Sequence, residues 1–130
     1  MASPDFYALR LAPMWWVGGA LLIAVVVYLS LAPGGPPVPV TLSDKLQHLL
    51  AYATLAIYFG GLVKRRAYWV VVLGLFGLSV LLECLQGWSG ERTFDVVDMV
   101  FNGLGLAVGK RLSRVGLNGW CRWLERRLPS

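Results

Sequence analysis

Three stretches of this chain contain no Asp, Glu, Lys or Arg: Trp15 to Ala32, Leu46 to Val63 and Ala67 to Leu82. Crossing about 30 Å of hydrocarbon takes roughly 17 to 25 mostly apolar residues at 1.5 Å of rise each. The expectation is therefore membrane-crossing helices over Met14 to Ala32, Lys45 to Val63 and Ala67 to Gln86. A fourth segment, Val96 to Leu112, is weaker, because only Met99 to Gly109 is free of charge. Alone it fits a re-entrant or interfacial helix as well as a full crossing. The hydrophobic content of 57% and the mean hydropathy of +0.62 exceed what a soluble domain of this size needs.

Charge decides the fourth segment. Short loops rich in Lys and Arg stay in the cytoplasm. Lys64, Arg65 and Arg66 separate the second and third segments; Lys110, Arg111, Arg114, Arg122, Arg126 and Arg127 follow the fourth; Arg10 precedes the first. All lie on one side only if the chain crosses an even number of times, with both termini inside. The inner side then carries about +8 and the outer side about −3, which together give the formal net charge of +5. The expected fold is an all-α integral membrane bundle of four transmembrane helices in a bacterial inner membrane, N-in and C-in. The basic balance reflects topology and attraction to anionic lipid headgroups. No nucleic-acid-binding motif is present.

Residues 1–13 read as a cytoplasmic N-terminus, 14–112 as the membrane domain and 113–130 as a basic tail. Ser30-Leu31-Ala32 is a passable signal-peptide cleavage site, but Pro33 and the long apolar run favour an uncleaved anchor. Pro33 to Pro39 cannot be helical and forms an extended outer loop. Thr41 or Ser43 is expected to cap the second helix. Gly105 and Gly109 have the spacing of a close helix–helix contact. In the tail, Leu117, Trp120, Trp123, Leu124 and Leu128 interleave with Arg122, Glu125 and Arg126, which predicts a short amphipathic helix lying in the cytoplasmic interface. Cys84 and Cys121 fall near opposite faces, too far apart for a disulfide.

The remaining ionisable residues gather at one depth. Asp44, His48 and Tyr52 are spaced four apart on one face of the second helix, with Lys45 beside them. Glu83 and Gln86 end the third helix. Arg92, Asp95, Asp98 and Asn102 lead into and along the fourth. Charges facing lipid cost about 2.5 to 3.5 kcal/mol each near the bilayer centre. They are expected to point inward and line a polar pocket open to the outer side. The plainer account is that ion pairs such as Lys45 with Glu83, or Arg92 with Asp95 or Asp98, simply hold the helices together. A whole set around the single histidine, His48, favours a pocket.

The series Asp44-Lys45-x-x-His48-x-x-x-Tyr52, Glu83-x-x-Gln86, and Arg92-x-x-Asp95-x-x-Asp98-x-x-x-Asn102-x-x-Gly105-x-x-x-Gly109 resembles the VanZ-like membrane protein family over residues 14 to 112. That family takes its name from a member associated with low-level resistance to the glycopeptide teicoplanin, and the resemblance implies no reaction. Three functions are open. The first is binding or handling of a lipid-linked or cell-envelope intermediate at the outer leaflet, with Lys45, His48 and Arg92 meeting a phosphate while the carboxylates and Asn102 meet sugar hydroxyls. The second is a membrane-embedded hydrolase or transferase, with His48 as general acid or base beside Asp95 or Asp98, or with His48, Glu83, Asp95 and Asp98 around a divalent metal. The third is a non-catalytic membrane scaffold. No H-E-x-x-H, G-x-S-x-G or P-loop motif appears, and no cofactor is expected. The expected partners are membrane lipids, with a lipid-linked phosphate or glycan as the candidate ligand; the oligomeric state is left open.

Overall fold

The computed structural model describes residues 4–31, 44–90 and 95–129. The proline loop, the Thr41 and Ser43 caps, Arg92 and the side chain of Asp44 lie outside the described residues. What is described is helical, with no strand. Four long helices, α1 (Ala12–Leu31), α2 (Asp44–Gly60), α3 (Arg65–Ser89) and α4 (Val96–Leu112), are followed by a π-type turn at Ser113–Leu117 and a short helix α5 (Trp120–Glu125).

Two of the helices, α1 and α3, are long and apolar enough to cross a membrane. At 1.5 Å per residue their 20 and 25 residues extend about 30 and 37 Å. Helices α2 and α4 have 17 residues each, about 25 Å, and carry the polar residues that lower their hydropathy. Much of the apolar surface has no protein over it. Along α1, Met14, Val17, Leu21, Val25 and Tyr28 are exposed, and along α3 so are Trp69, Val70, Leu73, Phe76 and Leu81. A monomer in water does not leave so continuous a belt uncovered. Together with the two apolar helices, it marks a membrane protein.

The innermost packing is between α2 and α4. Leu55 and Ala56 of α2 and Leu106 of α4 are buried. The helices touch because α4 presents glycine: a Cβ at Gly105 would collide with the Leu49 carbonyl oxygen, and one at Gly109 would meet Ala56 Cβ at 2.6 Å and Ala53 O at 2.7 Å. Only a residue without a side chain permits such an approach. Helix α1 leans on α2 through aromatic rings, with Gly19 under the Phe59 ring and the Tyr58 hydroxyl donating to the Trp15 carbonyl at 2.7 Å. At its far end α3 stops where Gly90 turns left-handed, at φ 75°, a conformation glycine adopts without steric cost.

The tail forms a short helix, α5, that packs one face against the bundle and leaves Arg122 and Trp123 exposed on the other. Cys121 is fully buried, and Trp120 Nε1 donates to the Ile57 carbonyl at 2.9 Å while its ring meets Trp15 and Tyr58 edge to face. Of the two tryptophans expected to anchor in lipid, only Trp123 is exposed. The physical reason is Glu125. Its carboxylate accepts from the Arg10 and Leu11 backbone N–H groups at 2.6 and 2.7 Å and from Trp15 Nε1 at 2.8 Å. The first N–H groups of a helix have no partner of their own, and Glu125 takes up those just ahead of α1.

Segments outside the helices complete this end. Tyr7 N–H donates to Leu62 O at 3.0 Å, Lys64 N–H to Asp5 O at 2.7 Å and Gly119 N–H to Gly60 O at 2.8 Å. The start of α1, the α2–α3 turn and the chain after α4 therefore share one end, and consecutive long helices run antiparallel. The candidate site lies at the other end.

Candidate functional site

Three helices supply the site. Lys45 and His48 stand one turn apart on α2; Glu83 comes from the last third of α3; Asp95 caps α4, and Asp98 and Asn102 follow along it. Asp95 fixes the start of α4, since its carboxylate accepts from Val97 N–H at 2.8 Å. An aspartate there is favoured by the helix dipole as well as by the cap.

Lys45 bridges two carboxylates. Its Nζ lies 2.6 Å from Asp95 Oδ2 and also pairs with Asp98 Oδ1. His48 sits next to that pair, with Nδ1 2.9 Å from Asn102 Oδ1 and Nε2 3.6 Å from Asp98 Oδ2. Glu83 is almost fully buried, and its Oε1 accepts from the Asp95 backbone N–H at 2.8 Å. Lys45 thus holds the head of α4 to α2, and Glu83 holds it to α3. The expected Lys45–Glu83 ion pair is not formed. The lysine faces α4, and the glutamate takes a main-chain donor instead. The Lys45 hydrogen bond, followed by that from Val97 N–H, holds the Asp95 carboxyl below its ordinary range.

The other candidates divide. Tyr52 is buried one turn further along α2 than His48. Gln86 turns away from the cluster to α1, where its Nε2 donates to the Ser30 carbonyl at 2.5 Å and satisfies an end-of-helix acceptor. Asp44 opens α2. Arg92 lies outside the described residues, so its expected pairing with Asp95 or Asp98 has no geometry here.

Chemically, the cluster sets one lysine against Glu83, Asp95 and Asp98, with His48 beside them. Nδ1 of His48 faces the Asn102 amide oxygen and Nε2 faces the Asp98 carboxylate, and which ring nitrogen donates depends on the tautomer. The arrangement can move a proton and offer hydrogen bonds of both senses. Among the described residues no three His, Cys, Asp or Glu side chains are grouped to hold a metal ion. The four-residue metal set considered from sequence is therefore not assembled.

One element of this end was not anticipated. A groove of about 380 Å3 is lined by Leu31 of α1 and by Leu85, Gln86, Trp88 and Ser89 of α3. Its signal in the sequence is faint. Trp88 and Ser89 lie beyond Gln86, the expected end of the third segment, and only the longer helix brings them level with Leu31. Gln86 lines the groove one turn along α3 from Glu83, which belongs to the polar cluster.

The family pattern for VanZ/LLP1 matches residues 5–116. A protein of Schizosaccharomyces pombe, described only as uncharacterized, is 33% identical over 98 residues, covering 72% of this chain. The chain spans 58% of that relative's length. No solved structure matches. With the match extending over most of its length, from the first described turn through the π-type turn, the chain belongs to the VanZ/LLP1 family.

Proposed function

We propose that this is a four-span protein of a bacterial inner membrane, with both termini in the cytoplasm. On this reading Lys45, His48, Glu83, Asp95, Asp98 and Asn102 hold the polar head of a lipid-linked or cell-envelope intermediate at the outer leaflet. The antiparallel order of the helices supports the topology, because it gathers Arg10, Lys64, Arg65, Arg66, Lys110, Arg111 and Arg114 at one end, as the positive-inside rule requires. Helix α4 runs on into the π-type turn, whose backbone leaves helical geometry only at Gly116, and this adds length to the span. The likeness to a protein of Schizosaccharomyces pombe means that the family does not choose the membrane, and the charge asymmetry supports only the orientation of the spans.

The observation that carries the ligand reading is that an apolar groove and a polar cluster share one end of α3, with Gln86 on the groove wall and Glu83, one turn earlier, in the cluster. An amphiphile needs both: hydrogen-bonding groups for its head and a greasy channel for its tail. Lys45 is shared between Asp95 and Asp98, and one ammonium against two carboxylates leaves a net negative charge, so a glycan or ammonium head suits the described residues better than a bare phosphate. Arg92, three residues before Asp95 in the sequence, is proposed as the cation for a phosphate. Teicoplanin resistance forms no part of the proposal, because nothing in the site is specific to a glycopeptide.

Lipid mass spectrometry on detergent-purified protein tests this. A prenyl- or glycan-bearing lipid is expected with the native chain and is expected to be lost in His48→Ala and in Arg92→Ala. Equal lipid in native and variant chains, or bulk phospholipid alone, would remove the proposal in favour of a scaffold. The His48–Asp98–Asn102 geometry supports a second reading, a hydrolase or transferase with His48 as general base. Turnover of an isoprenyl phosphate by native protein, abolished in His48→Gln, would establish it.

A further inference from the structure

The end of the bundle away from the polar cluster holds a second site. A pocket of about 290 Å3 there is lined by Arg65 at the start of α3, Lys110 in the last turn of α4 and Arg114 in the π-type turn. Tyr68 and Trp69 form its α3 wall, and Ser113 and Asn118 close it from the tail. The lining holds three cations and no carboxylate.

The nearby acids are engaged elsewhere. Asp5 pairs with Arg66 at 3.2 Å, and Glu125 receives the donors ahead of α1. Arg65 is held in place by its own bond, Nη2 donating to the Arg114 carbonyl at 2.6 Å. Helix α3 starts at the same point, and the side chain of Lys64 before it makes no cap, so the positive end of that helix adds to the field.

Topology alone accounts for basic residues at this end, and the α4 dipole favours Lys110 near its C-terminus. Neither requires cations from two helices and a turn to converge on one cavity against their mutual repulsion. An anion bound among them removes that cost. Guanidinium groups favour the paired oxygens of phosphate. Trp69 is 56% exposed at the rim, where tryptophan marks the headgroup level of a bilayer. Basic pockets between membrane helices seat anionic headgroups in this way.

We propose that Arg65, Lys110 and Arg114 bind the phosphate of an anionic phospholipid in the leaflet opposite the polar cluster. This inference does not rest on the ligand reading of the other end. The test uses the full chain in detergent micelles containing phosphatidylglycerol or phosphatidylcholine, read by native mass spectrometry. Retention of phosphatidylglycerol over phosphatidylcholine is expected. At roughly one surface-cation contribution each, Lys110→Gln weakens that retention about fivefold, and adding Arg65→Gln brings the loss to about twenty-fivefold. Lys110→Gln leaves the Arg65–Arg114 bond intact, so it stands if the double variant does not fold. Arg126→Gln with Arg127→Gln removes equal charge outside the pocket and should change retention less than about twofold. Equal loss in that control, or equal retention of the two lipids, overturns the proposal. So does full displacement of the lipid by inorganic phosphate, since a free anion would then be the occupant.

Discussion

At the polar end, α2, α3 and α4 are joined by charged side chains; at the opposite end they are joined largely by backbone groups of segments outside the helices. Lys45, Asp95, Asp98 and Glu83 make the first kind of joint. The second comes from Asp5, Tyr7, Gly60, Leu62, Lys64 and Gly119, reinforced by the Glu125 carboxylate. The difference matters for function. A joint made of ion pairs opens when a ligand or proton competes for the charges. A joint made of main-chain bonds depends far less on the charge state of its partners.

Removing Asp98 should break the contrast most. It leaves Lys45 with Asp95 alone and takes the carboxylate from beside His48. Breaking a buried pair from one side costs about 3 to 5 kcal/mol. Because Lys45 is 31% exposed, about 3 kcal/mol is expected for Asp98→Ala, read as loss of helical circular dichroism on heating in detergent. Removing both partners, as Lys45→Met with Asp98→Leu, should recover most of that loss. If the double change is as damaging as the single, the pair is not what holds this end.

The seam between the ends comes next. At Gly105 a methyl group would press on the Leu49 backbone, which has no rotamer with which to yield, so Gly105→Ala should cost about 2 to 3 kcal/mol. Gly74 has open space around it, and Gly74→Ala should be neutral or gain up to about 1 kcal/mol in helix propensity. Similar melting curves for the two variants would mean that α2 and α4 adjust freely, and the two ends would then not be coupled through a rigid seam.

At the end joined by main-chain bonds, Glu125 is the one ionised side chain among main-chain donors. Burial raises its pKa, but donation from Leu11 N–H, Trp15 Nε1 and Arg10 N–H outweighs this and leaves the carboxyl below the usual range. A depressed carboxyl contributes stability that is complete above its unfolded value, about 4.3, and is lost as pH falls through the folded value. Glu125→Gln should therefore cost about 2 kcal/mol at neutral pH. The gap from the native chain should narrow below about pH 4. A gap that holds steady down to pH 3 would mean that the charge contributes nothing.

These two ends were not equally legible in the sequence. Lys45, His48, Asp95, Asp98 and Asn102 could be grouped beforehand, because each lies at a helix position whose depth and face follow from periodicity and segment length. The choice of partner could not. Whether Lys45 meets Glu83 or Asp98 depends on how far α2 and α3 are rotated about their axes, which spacing along one helix leaves undetermined. The helix over Val96 to Leu112 has the bounds expected of it, although it is not among the helices long and apolar enough to cross a membrane. The partners of Glu125 in the tail were hidden for another reason. Glu125 among Arg122, Arg126 and Arg127 has the pattern of a solvated face, and nothing local says that unsatisfied N–H groups more than 110 positions away will claim its carboxylate. A single acid in a basic tail, with an indole donor at the other terminus, was the only hint.

The smallest expected effect sharpens the comparison most finely. Asp95 is 38% exposed and plays two parts, ion-pair partner of Lys45 and cap of α4. Asp95→Asn keeps an oxygen for Val97 N–H and removes the charge, so it isolates the pair from the cap. With Asp98 still holding Lys45, the melting temperature should fall by less than in Glu125→Gln, and added salt should shrink the difference, as it does for exposed charges. The Asp95 carboxyl is also depressed, so its contribution should be present at neutral pH and vanish as the folded-state carboxyl is protonated. A loss as large as that of Asp98→Ala, and indifferent to salt, would mean that Lys45 is held chiefly by Asp95, and the weight of the joint would then move from the buried wall of the site to its rim.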